Sequence, residues 1–156
     1  MDFKTNVMRV IESKKIKYKA HCYADTDAVS GTEIAEILGE DPAHVFKTLV
    51  TVGKSGANYV FMVPVAEELD LKKAAKAVGE KSIEMLKSKD LLPLTGYIHG
   101  GCSPIGMKKF FRTTVHMSAA EFETVFFSAG KIGYQIEMPI SDLEKIIRIG
   151  YADLIV

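Results

Sequence analysis

The run VFKTLVTV, residues 45–52, decides how the chain is organised. As a strand it places Val45, Lys47, Leu49 and Thr51 on one face and Phe46, Thr48, Val50 and Val52 on the other. Both faces are mostly apolar, which predicts a central strand rather than one with a face in water. The glycines at 53 and 56 reverse the chain, and NYVFMV (residues 58–63) returns, so the pair reads as a β-hairpin. Lys47 is the anomaly. A lysine inside such a strand is costly unless it is paired, opens on a cleft, or snorkels to the sheet rim. The pattern leaves cleft and rim equally open.

Upstream of the hairpin, Phe3, Val7, Val10 and Ile11 recur at helical spacing, and residues 17–24 fit a short strand. Ser30 and Glu33 form a capping box ahead of Ile34, Ile37 and Leu38, and Gly39 ends that helix. Asp41-Pro42 starts one further turn. Downstream, residues 70–78 read as a helix closed by Gly79, with Leu71, Ala74, Ala75 and Val78 inward. A strand over 81–86 and a helical turn from Ser88 follow. Three more strands are expected at 113–117, 124–128 and 133–138, then a last helix capped by Ser141 and Glu144 that carries Leu143, Ile146 and Ile147. No linker, repeat or low-complexity stretch interrupts the order, so residues 1–156 read as a single domain. Irregularly mixed short strands and helices predict an α+β fold, with a mixed, largely antiparallel sheet curved into a barrel and helices around it.

Composition narrows the function. Of 156 residues, 47% are hydrophobic and 26% charged, which excludes a disordered tail or a coiled coil. Twenty basic residues balance twenty acidic ones, so an extended nucleic-acid groove is not expected and any such contact is local. The only arginines are Arg9, Arg112 and Arg148, too few forks for sequence-specific DNA reading. Two cysteines, Cys22 and Cys102, without a CxxC suit free thiols in a reducing cytosol. No signal peptide or run of ~18 apolar residues is present, so a cytoplasmic protein without membrane contact is expected.

Six of the twelve glycines fall between Gly96 and Gly133. In GGCSPIG (residues 100–106), adjacent glycines and a Ser-Pro turn can aim successive backbone N–H groups at an anion or a developing oxyanion. SAGKIG (residues 128–133) is a second glycine loop between strands. Either loop is equally readable as a tight connection. A rival chemistry is thiol-based, with Cys102 near His99 and with His116 further on. His21, Cys22, His99, Cys102 and His116 lack paired ligand spacing, so no metal or other cofactor is expected. Lysine clusters at 14–19, at 72–76, and at Lys108, Lys109 and Arg112 are candidates for guiding a polyanion, the last being nearest the glycine loop. Most phenylalanines sit at core spacing.

Taken together, TGYIHGGCSPIGMKK (95–109), VFKTLV (45–50) and SAGKIGYQIEM (128–138) resemble the YbaK/EbsC family of Cys-tRNA(Pro) deacylases. The resemblance runs over almost the whole chain, through AHCYAD around Tyr23, PVAEELDLKKAAKAVG and the closing DLEKI. It implies the fold of the editing domain found in bacterial prolyl-tRNA synthetases, a monomer, and removal of cysteine from mischarged tRNA(Pro) in trans. The substrate's own thiol would attack its ester carbonyl, so no protein nucleophile is required. By the same resemblance Lys47 would anchor the phosphate or terminal adenosine of the tRNA acceptor end. Gly100, Gly101 and Ser103 would hold the aminoacyl carbonyl, Tyr23 would line the pocket, and Ser128 and Gly130 would form the facing loop. Gln135 stands where other members carry an aspartate, and Ile132 where they carry an arginine, so the charge of the site is changed. Prolyl-tRNA synthetase is the implied partner. The alternatives are a deacylase for alanine or serine, a non-catalytic module that binds aminoacyl-tRNA or a synthetase, and a Cys102-dependent hydrolase.

Overall fold

The computed structural model describes residues 4–156, so Phe3 of the first expected helix lies outside the described residues. Helix α1 (Asn6–Ser13) starts at Thr5, whose side chain accepts from the Met8 amide, and buries Val7, Met8 and Ile11. Strand β1 (Lys19–Cys22) lies within the stretch expected for it. Helix α2 (Gly31–Leu38) carries the full Ser30–Glu33 capping box and ends at Gly39. A 3-10 turn (Pro42–His44) follows, with Asp41 as its cap.

The hairpin is β2 (Phe46–Gly53) with β3 (Asn58–Pro64), paired from Phe46 opposite Pro64 to Val52 opposite Asn58. Helix α3 (Leu71–Val78) is capped by Asp70, and β4 (Ile83–Met85) leads to α4 (Ser88–Thr95). Beyond the first glycine loop come β5 (Arg112–His116), β6 (Val125–Ser128) and β7 (Tyr134–Met138), then α5 (Ile140–Leu143) and β8 (Ile149–Ala152).

The expected α+β architecture is present, but its strands divide between two sheets. The order β1-β7-β6 is antiparallel throughout; the order β4-β2-β3-β5-β8 is mixed, with β3–β5 and β5–β8 parallel. Among the described residues no ladder closes the sheets into one barrel; a single parallel bridge, Val45 to Phe126, joins them. Two expectations are corrected. Strand β8 was not foreseen, because a short edge strand in parallel pairing has no local hairpin to announce it. Ser141 and Glu144 do not cap the last helix, which begins at Ile140 after Pro139 and has no side-chain cap. Burial decides that start: Ile140 and Leu143 turn into the core while Ser141 stays exposed.

The central core lies between the sheets. Phe127, Ile136 and Met138 from one meet Phe46, Met62 and Val115 from the other, and α1 closes one side with Val7, Met8 and Ile11. On the opposite face of the larger sheet, Phe61 and Val63 pack against Ala74, Ala75 and Val78 of α3. That double burial is why the β2–β3 hairpin is apolar on both faces. A third cluster, Val50, Val60, Cys102 and Phe111, underlies the first glycine loop.

Candidate functional site

A cleft of about 500 Å³ opens along the exposed edge of β2. Strand β4 pairs with β2 from Thr51 to Gly53, the Leu86 amide just beyond it donates to the Val50 carbonyl at 3.1 Å, and the Val45–Phe126 bridge covers the start of β2. The edge between is free, and Lys47 and Thr48 line the cleft there. Lys47 is half-buried, and among the described residues it has no ion-pair partner. The structure thus decides for the cleft over the rim. Thr48 contributes a buried hydroxyl that, among the described residues, has no hydrogen-bond partner.

The opposite wall belongs to the smaller sheet. Ser128 and Gln135 are directly paired across β6 and β7, and His21 of β1 sits opposite Gln135 on its other side. Ser128 and Gln135 both line the cleft. Gln135 is 3% exposed, and its buried Oε1 has no hydrogen-bond partner among the described residues. Two residues along β7, Glu137 bonds His21 at 2.8 Å and accepts from the Thr124 hydroxyl at 2.7 Å. Burial works against the Glu137 charge, yet those two bonds keep its carboxyl below the ordinary range. Tyr23 completes this wall; its main-chain amide donates to the Gly133 carbonyl at 2.8 Å, which ties it to the second glycine loop.

The glycine loops close the third side. Gly100 has φ +87° and lines the cleft with Cys102 and His99. Gly101 and Ser103 lie behind them. The Gly101 amide donates to the Ile98 carbonyl at 3.0 Å, and fully buried Ser103 accepts from the Ile105 amide at 3.4 Å. Among the described residues the amides of Gly100 and Cys102 have no backbone acceptor. Gly101 fits where it does because a side chain there would meet the Ile132 amide at 3.2 Å. The Gly130 amide donates to Ser128 Oγ at 3.1 Å, and Gly130 itself stays out of the cleft lining.

Of the eight residues that carried the sequence expectation, the cleft therefore gathers Tyr23, Lys47, Gly100, Ser128 and Gln135. Gly101, Ser103 and Gly130 shape the loops from behind. The thiol alternative fares poorly: burial pushes the Cys102 thiol up to about 12, and among the described residues no hydrogen bond joins it to His99. Arg112, from the basic cluster nearest the loop, spends its guanidinium on the Val78 and Ala77 carbonyls at the end of α3. Among the described residues no group of three His, Cys, Asp or Glu is placed to hold a metal ion. Sequence reasoning missed Thr48, which lines the cleft and carries no local signal.

Comparison with known proteins adds to this geometry. The family described as the aminoacyl-tRNA editing domain matches residues 17–146. An Enterococcus faecalis protein, EbsC, named for Cys-tRNA(Pro)/Cys-tRNA(Cys) deacylation, is 50% identical over 136 residues, spanning 86% of this chain and 83% of its own. The crystal structure of the protein APE2540 superposes with a TM-score of 0.88 at 18% identity, over 97% of this chain and all of that one. A structure described as a trans-editing enzyme for prolyl-tRNA synthetase gives 0.84 at 23% identity, covering 99% of each chain. At such identities these two structures speak for the fold alone.

Proposed function

The chain belongs to the aminoacyl-tRNA editing domain family, and from that premise we propose that it removes cysteine from mischarged Cys-tRNA(Pro), and from Cys-tRNA(Cys), in trans to prolyl-tRNA synthetase. One observation carries this reading: among the described residues the cleft offers a lysine without an ion-pair partner beside a glycine loop, while burial keeps its one cysteine thiol protonated. Such a site binds and polarises an ester whose attacking group comes with the substrate.

Lys47 meets the phosphate or terminal adenosine of the acceptor end, and Tyr23 and Ser128 bound the aminoacyl group. Gly100 and Cys102 donate to the ester oxygen as charge builds on it, while Gly101 and Ser103 hold the loop in shape. The substrate thiol adds to its own carbonyl carbon, a C–S bond forms, and the C–O bond to the ribose breaks. The thiol proton ends on the ribose hydroxyl, leaving a cyclic thiolactone and free tRNA. The domain acts as a monomer in the cytoplasm. Its two sheets, joined by the Val45–Phe126 bridge, correspond to the barrel-like sheet of the family. With zero net charge, its tRNA affinity is modest and falls with salt.

Deacylation of Cys-tRNA(Pro), Cys-tRNA(Cys), Ala-tRNA(Pro) and Pro-tRNA(Pro) by wild type and Lys47→Ala tests this. Loss of the cysteinyl ester that is about 100-fold slower in Lys47→Ala, with Pro-tRNA(Pro) spared, is the expected result. Turnover of the alanyl ester alone moves the substrate. No turnover of any ester leaves a binding module and overturns the deacylase.

A further inference from the structure

Of the four histidines, three are engaged elsewhere in the fold. His21 bonds Glu137 at 2.8 Å, the His44 ring stacks on Phe122 with centres 3.8 Å apart, and His116 accepts from the Leu154 amide at 3.1 Å. His99 is different. It is exposed and lines the cleft, and among the described residues its ring has no hydrogen bond, ion pair or ring partner.

Local structure explains its place. The Gly101 amide closes a tight turn on the Ile98 carbonyl at 3.0 Å, and Gly100 takes the third position of that turn with φ +87°. A left-handed residue is what such a turn demands there, and glycine adopts it without strain. His99 is the second residue, at the turn's tip. Its Cα stands about 3.8 Å from that of Gly100, as any trans-linked neighbour's does. The Gly100 amide has no backbone acceptor among the described residues, and Gly100 lines the same cleft. One turn therefore brings an unengaged imidazole and such an amide to one wall.

The cyclisation needs a proton carrier. In the intermediate the substrate sulfur and the ribose oxygen are bonded to the same carbon. Direct transfer between them would pass through a ring of four atoms, far from the near-linear geometry a shared proton prefers. Of the side-chain types that line the cleft, imidazole alone both takes and gives a proton near neutral pH.

We propose that His99 is a catalytic residue that relays the thiol proton to the leaving ribose oxygen. The inference rests on the deacylase reading for the identity of the substrate. A ring nitrogen of His99 takes the proton from sulfur as the C–S bond forms. The imidazolium returns it to the ribose oxygen as the C–O bond breaks. The ring ends neutral, the products are the thiolactone and free tRNA, and no other reactant is consumed. Gly100 and His99 then divide the work, the amide meeting the carbonyl oxygen and the imidazole the proton in flight.

Single-turnover deacylation of Cys-tRNA(Pro) tests this, with calorimetry on 3′-cysteinylamido-3′-deoxyadenosine, an amide that resists deacylation. His99→Ala changes an exposed turn tip, so it should melt with wild type and bind the probe equally well, yet react about 100-fold more slowly. His99→Asn, polar but unable to relay a proton, should be equally slow. Added imidazole should speed His99→Ala about tenfold beyond its effect on the ester without protein, and leave wild type unchanged. Wild-type rates in either variant overturn the relay and leave the deacylase standing. Probe binding that weakens as much as the rate, or a loss that imidazole does not reduce, also overturns it. A wild type that turns over no ester overturns the deacylase and the relay together.

Discussion

The Tyr97 hydroxyl donates to the main-chain oxygen of Ile105, and its ring stands against both Gly106 and Gly130. One side chain thereby closes the first glycine loop on itself and sets its distance from the second. Burial pushes the phenol up to about 12, so it remains a donor throughout the physiological range.

Tyr97→Phe should therefore loosen the site more than the fold. Losing the bond to a half-buried tyrosine costs about 1 kcal/mol of stability, measurable by urea denaturation. Deacylation should fall about tenfold, because the amides of Gly100 and Cys102 would no longer be held in place. Unchanged turnover with lowered stability would leave Tyr97 a packing residue only.

Gly130→Ala should be costlier. The residue has φ +89°, and a methyl group would come within 2.8 Å of Val7 Cγ2 and 3.1 Å of the Tyr97 ring. Backbone strain and overpacking together should cost about 2–3 kcal/mol. The melting temperature checks this; a shift within error would mean that α1 and Tyr97 yield more easily than their packing suggests.

The two thiols should separate cleanly. Cys22 is exposed, whereas Cys102 is buried with its thiol pushed up to about 12. A thiol reagent at neutral pH should titrate Cys22 quickly and reach Cys102 only in denaturant. Cys102→Ser should keep most of the deacylation. Activity that vanished with Cys102 would revive the thiol hydrolase.

Glu40 gives a signed pH prediction. Its folded carboxyl is raised above the ordinary value of 4.5 by burial, so the native state holds its proton more tightly than the unfolded chain. The ionised group then destabilises the fold above its folded pKa, and the penalty disappears as pH falls below about 4.5. Glu40→Gln should add about 1 kcal/mol at neutral pH and nothing in acid. Paired melts at both pH values decide it. A variant less stable than wild type at neutral pH would show that Glu40 has a cationic partner in solution.

Much of the fold was legible because its signals are local. The Ser30–Glu33 box, the Gly79 stop and the β2–β3 turn act over a few residues, and each appears where the spacing put it. The Ser141 cap failed for the complementary reason. A capping pattern competes with burial, and here Ile140 and Leu143 won. Strand β8 was illegible because its partner β5 lies more than thirty residues upstream, with Thr113 opposite Ile149.

The site divides the same way. Residue types and loop glycines announced Lys47 and Gly100 from the sequence, since a lysine in an apolar strand and paired glycines are anomalies wherever they fold; Gln135 was marked only by the family resemblance. Packing alone decided that Lys47 opens on a cleft and that Gly101 and Ser103 stand behind Gly100. Packing also buried the carboxylate of Glu40 without a hydrogen-bond partner among the described residues. Burial and hydrogen-bond partnership are set by groups far apart along the chain, and no local spacing records them.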